Sequence, residues 1–239
     1  MLARLWWKDA RQFWPIWLFL VLAAAGCQWL VLKFGGSDAR NGLLVFFAVG
    51  WAALYGFAVA AAAFAGEREN NTLLFLDMLP VSRRVLWGGK ATFALATTLA
   101  LAVAMLALAW LGTNQLKLEG AYHVAGVAAT KYHLAWVGLG FAAILLEVLG
   151  WGLLWSAASG NAMIAAVLAI GCTMVGSPLY RQRWDSDGDA LVESIPLRLV
   201  LFLATSAASC LLLTLGGRPR RSAWDLLGRV DNIWEGCDV

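Results

Sequence analysis

The sequence predicts an all-α polytopic membrane protein. It would have about six transmembrane helices, an N-terminal interfacial helix and a short amphipathic helix outside the bilayer. Three observations point there. Of 239 residues, 61% are hydrophobic and 14% charged, where a soluble domain carries about a quarter charged. That leaves too little polar material to cover a globular surface. Six apolar runs recur, near 15–32, 43–65, 91–112, 134–157, 162–178 and 197–215, each about long enough for a ~30 Å hydrocarbon core. Lys and Arg are also unevenly divided between the ends of those runs, as insertion requires.

The first element is residues 1–14. Arg4, Lys8 and Arg11 fall at helical spacing on one face, while Leu2, Trp6, Ala10 and Phe13 line another. Basic on one side and aromatic on the other suits a helix lying at the headgroups; a charged lead-in to the first span fits as well. The first run is too long for the apolar part of a cleavable signal. Residues 15–217 form the transmembrane domain. Only Ala158 to Ala162 separate the fourth and fifth runs, so those two should make a tight antiparallel hairpin.

With the N-terminus inside, 11 of the 18 Lys and Arg lie on the cytoplasmic side. Lys33, Arg40, Lys117, Lys131, Arg181, Arg183 and Arg198 remain outside. This bias puts both termini and the loop 66–90 in the cytoplasm of a multi-pass protein of the cell membrane. Thr113 to His133 leaves room for a small external element, and 179–195 is a charged external loop. Its run Asp185-Ser186-Asp187-Gly188-Asp189 lacks the following glutamate of a calcium-binding EF-hand and reads as a solvated turn. Residues 218–239 are a tail, basic at first through Arg218, Arg220 and Arg221, suited to an anionic leaflet. The net charge of +3 is too small to imply nucleic acid. Cys27, Cys172, Cys210 and Cys237 have neither metal-ligand nor redox spacing.

The chain's polarity is concentrated between Phe64 and Lys90. Glu67, Arg68 and Glu69 form a charged group, followed by Asn70, Asn71 and Thr72. Leu73 to Leu79 is a short apolar segment that stops at Pro80, which biases the residue before it away from the helical region. Thr72 or Asn71 suits an N-cap, and Ser82 suits the cap of a helix that enters the membrane. An ordinary polar loop and a short helix outside the bilayer both fit this composition.

Taken together, these residues resemble the first cytoplasmic loop of the permease subunit of type-2 ABC exporters. The matching positions are Glu67 and Glu69, Thr72, Leu73 to Leu76, Leu79 and Pro80, Ser82 and Arg83, and Gly89 and Lys90. Asn71 stands where that family usually has Gly, and Asn also tolerates the left-handed conformation. The motif covers about a tenth of the chain; the rest of the likeness is topology. The resemblance implies that Leu73, Leu76 and Leu79 lie on a coupling helix that docks on a separate ATPase. Glu67 and Glu69 would then mark the end of the second span, and Arg83 and Arg84 would meet acidic groups or headgroups. It further implies a second permease copy or homologue, and ATP with magnesium held by the partner subunit, with no cofactor on this chain.

No catalytic set stands out. Gly88-Gly89-Lys90-Ala91 lacks the upstream Gly and the hydroxyl of a P-loop, so any ATP-driven work would need another polypeptide. Glu147 is the one clearly embedded ionisable residue. Two roles fit it. It is a polar site on a translocation path, or a protonated group bonded to a hydroxyl such as Thr97, Thr98 or Ser206. The sequence therefore leaves three classes of function. One is an export permease working with an ATPase, the second a stand-alone ion-coupled carrier or membrane enzyme centred on Glu147, and the third an assembly or anchoring protein.

Overall fold

A computed structural model describes residues 2–34, 37–70, 82–113, 134–184 and 190–215. Among these the regular secondary structure is all helical. The elements are α1 (Leu2–Phe34), α2 (Ser37–Ala62), α3 (Ala65–Glu69), α4 (Arg83–Thr113), α5 (Leu134–Ala158), α6 (Ala162–Trp184), α7 (Ala190–Glu193) and α8 (Ile195–Leu215). Segment 73–79 and tail 218–239 lie outside the described residues, as do residues 185–189 of the external loop 179–195.

Five stretches are long and apolar enough to cross a membrane: Trp6–Phe34, Leu43–Ala62, Arg83–Ala109, Gly138–Ala158 and Ile195–Leu215. Length and composition make this a multi-pass membrane protein. The sixth expected run is also helical. However, α6 keeps its apolar character only over Ala162–Gly176, because Tyr180, Arg181 and Arg183 occupy its last turns. Large apolar side chains such as Phe19, Leu22, Val103, Val167 and Leu203 stand exposed on the outer faces, a surface that suits hydrocarbon rather than water.

Residues 2–14 are not a separate element. They are the first turns of α1, a single helix of 33 residues with Pro15 inside it. At ~1.5 Å per residue it is about 50 Å long, more than a bilayer core needs. Pro15 has no N–H to give the Arg11 carbonyl, yet the helix continues through it.

α5 is the centre of the bundle. It packs along α2 on one side and α8 on another, with α6 beside it, while α4 and α1 close the other flank of α2. Gly150 and Gly152 make this closeness possible. A Cβ on Gly152 would lie 2.6 Å from the Ala60 Cβ, and one on Gly150 would collide with Thr205 and Phe202. Around this contact Tyr55, Phe64, Leu101, Met105 and Leu149 are fully buried. The hairpin expected between the fourth and fifth runs is present. Asn161 caps α6, its Oδ1 accepting the Met163 and Ile164 N–H groups at 2.9 and 3.1 Å.

Polar side chains fasten the bundle at intervals. Gln28 of α1 donates to the Met105 carbonyl of α4 at 3.1 Å. Trp87 of α4 donates to Ser209 of α8 at 2.8 Å, and Ser209 in turn donates to the Leu153 carbonyl of α5 at 3.2 Å. Such bonds are secure in an apolar medium because no water competes for the groups.

Candidate functional site

One end of the bundle carries the polar stretch singled out in the sequence. α2 stops at Ala62 and α3 begins at Ala65. A break of this kind frees backbone groups, which must be satisfied when buried. Ser156 of α5 does this from across the interface. Its hydroxyl donates to the Ala61 carbonyl at 2.7 Å and accepts the Phe64 and Ala65 N–H groups at 2.9 and 3.0 Å.

Beyond the break, α3 turns Glu67 inward, where it meets charges from two other helices. Lys90 of α4 lies 3.0 Å from Glu67 Oε1 and 3.3 Å from Asp9 Oδ1 of α1. Lys8 completes the group, donating to both Glu67 oxygens at 2.9 and 3.1 Å. Asp9, Glu67 and Lys90 are 3, 6 and 4% exposed, so these are buried charges that need one another. Two carboxylates and two ammonium groups balance to zero. They line a cavity of about 230 Å³ together with Gln12, Phe13, Gly66 and Asn70. Trp6 adds a bond from α1 to the Gly89 carbonyl at 3.1 Å and an edge contact with Phe93.

The residues named from the sequence take different places. Glu67, Gly89 and Lys90 are brought together in this cluster. Ser82 caps α4 as expected, its Oγ accepting the Val85 N–H at 3.4 Å. Glu69 and Arg84 are exposed, and Glu69 accepts the Ala162 N–H at 3.4 Å. Thr72, Leu73, Leu76, Leu79 and Pro80 lie outside the described residues.

Two arginines at this end reach helix termini. Arg68 donates to the Ser159 carbonyl, just past α5, at 2.9 Å, and Arg83 donates to the Leu213 carbonyl in the last turn of α8 at 3.1 Å. The last carbonyls of a helix have no intrahelical donor and carry its negative dipole end. Burial pushes the Arg68 pKa below its usual value, and the neighbouring Arg83 charge pushes it the same way. Arg68 therefore relies on that carbonyl.

The second polar feature lies deeper. Glu147, midway along α5, is 1% exposed and forms an ion pair with Arg198 of α8, itself 8% exposed. Arg198 Nε also donates to Ser194 at 3.0 Å. Glu147 thus meets a counter-charge rather than one of the expected hydroxyls, and Arg198, placed outside by the charge bias, is buried against α5. The hydroxyls of Thr98 and Ser206 find no protein partner among the described residues, so neither holds Glu147. Asp9, Lys8, Ser156 and Arg198 were not recognised as site residues. A signal existed for Asp9, the one acidic residue in a strongly aromatic, basic segment, and for Arg198, which lies inside an apolar run. Nothing local marked Ser156.

Among the described residues no group of His, Cys, Asp and Glu is arranged to hold a metal ion.

No family model, curated protein or solved structure matches the chain.

Among the described residues this end carries buried, mutually compensated charges and bonds between distant helices.

Proposed function

We propose that the chain is the transmembrane permease subunit of an ABC-type export system. It would move a substrate out of the cytoplasm with ATP hydrolysed by a separate subunit. The supporting observation is that both roots of segment 71–81 are tied into the bundle. α3 is held by Ser156 and by the Glu67–Lys90 pair, and the start of α4 by Lys90–Asp9 and Arg83–Leu213. A subunit docking on that segment would therefore act on α1, α4, α5 and α8 together. This is the linkage that driven switching between two states requires.

In this reading Leu73, Leu76 and Leu79 make the docking surface, and α6 is the sixth crossing. Both termini and the Glu67 end face the cytoplasm of the cell membrane. A second permease copy or homologue would complete the pathway.

The test compares wild type with Leu76→Asp in a pull-down from detergent-solubilised membranes. Recovery of an ATPase with the wild type, lost in the variant at equal expression, supports the reading. Absence of any ATPase with folded, abundant wild type overturns it.

The stand-alone carrier centred on Glu147 is the second reading, favoured by the burial of an ion pair within the membrane-spanning part. It predicts transport that needs no ATPase and is lost in Glu147→Gln.

A further inference from the structure

The two arginines that flank segment 71–81 do something the charge cluster does not. Asp9, Lys90 and Glu67 join α1, α3 and α4, all from the first half of the chain. Arg68 and Arg83 reach from α3 and from the first residue of α4 into the second half, and each ends on a C-terminal carbonyl. Such carbonyls are orphans of the helix geometry, and a guanidinium is the donor best suited to them, since its charge also meets the negative helix end.

Burial, and after it the neighbouring Arg83 charge, disfavour the charged form of Arg68, and the Ser159 carbonyl receives its guanidinium at 2.9 Å. Other polar links join the same halves near this end: Ser156 bonds the α2–α3 break, Glu69 accepts the Ala162 N–H, and the neutral Trp87–Ser209–Leu153 relay sits about a turn deeper.

We infer that Arg68 and Arg83 are positioning residues that clasp the C-terminal ends of α5 and α8 to α3 and the start of α4. The two halves of the bundle thereby move together at this end. The inference rests on the export reading in one respect only: there, the clasp carries the partner's push into α5 and α8. The clasp itself is a property of this chain alone.

The experiment is hydrogen exchange on the full chain in lipid nanodiscs, read in peptides spanning 152–158 and 208–214. Four chains are compared: the parent, Arg68→Gln with Arg83→Gln, Lys90→Gln, and all three changes together. Loss of the clasp should speed exchange at both helix ends by about fivefold. Lys90→Gln contacts neither helix end, yet it should raise exchange there by a similar factor, because it loosens α3 and α4. The triple variant should then show no further rise beyond the double.

Multiplying effects would mean the ion cluster and the arginines act independently, which overturns the clasp. So would a Lys90→Gln chain with both helix ends unchanged. If the glutamine variants fail to insert, Arg68→Lys with Arg83→Lys provides the same comparison, with one point donor replacing each fork. ATPase recovery from the same membranes reports separately on the export reading: its failure leaves the exchange result standing, and the reverse also holds.

Discussion

Two buried ionic groups among the described residues solve the same problem in different ways. At the Glu67 end, four charges from α1, α3 and α4 surround a cavity and share their partners, with Lys90 serving two carboxylates and Glu67 serving two lysines. In the middle of α5, Glu147 meets Arg198 among apolar side chains, backed by Ser194. Losing either lysine of the first group leaves Glu67 with the other, whereas Asp9 depends on Lys90. Losing one member of the second removes the ion-pair counter-charge of a deeply buried group. The shared group is therefore expected to rearrange more easily as helices shift than the Glu147–Arg198 pair, which joins α5 to α8.

The largest effect should come from the Glu147–Arg198 pair. Arg198→Met is expected to destabilise the folded chain by about 3–5 kcal/mol, and Glu147→Leu with Arg198→Met to recover most of that loss. Thermal unfolding in detergent measures both, and a double variant as unstable as the single would show that the pair is not the source. At the shared group Lys90→Met should cost less, about 2–3 kcal/mol, because Lys8 still faces Glu67 and the cavity admits water. A cost equal to that of Arg198→Met would erase the distinction between the two sites.

A neutral control sits beside the shared group. Ser156→Ala removes one hydroxyl but strands two N–H groups at the break between α2 and α3, for an expected loss of about 1–2 kcal/mol. Unfolding midpoints of this variant against Lys90→Met separate hydrogen bonding from charge. The smallest effect belongs to the exposed members of the same stretch. Glu69→Gln and Arg84→Gln should each change stability by less than about 0.5 kcal/mol. A larger change in either would place it inside the network.

Much of the fold was legible because a bilayer restricts the alternatives. Backbone groups in hydrocarbon must bond within their own segment, so a long apolar run has to be a helix. The runs at 43–65, 91–112, 134–157, 162–178 and 197–215 all coincide with helices, and the Ala158–Ala162 hairpin follows from a gap too short for anything else. The boundary expected near residue 14 did not form, because a proline that would end an isolated helix is tolerated where neighbouring helices support the chain. The candidate site was half legible. Concentrated polarity drew attention to Glu67 and Lys90, but the second carboxylate that Lys90 serves, Asp9, lies 81 positions away, and no local pattern encodes that contact.

Composition and periodicity alone therefore decide that this is a helical, multi-pass membrane protein, and roughly where its helices run. Those properties follow from the cost of exposing backbone and charge to hydrocarbon, which each segment meets on its own. Pairing is a different matter. That Glu147 meets Arg198, that Ser156 seals the break after α2, and that Arg68 and Arg83 end on α5 and α8 depend on which helix faces share an interface. The close approach at Gly150 and Gly152 sets those faces, and only the assembled bundle brings them together.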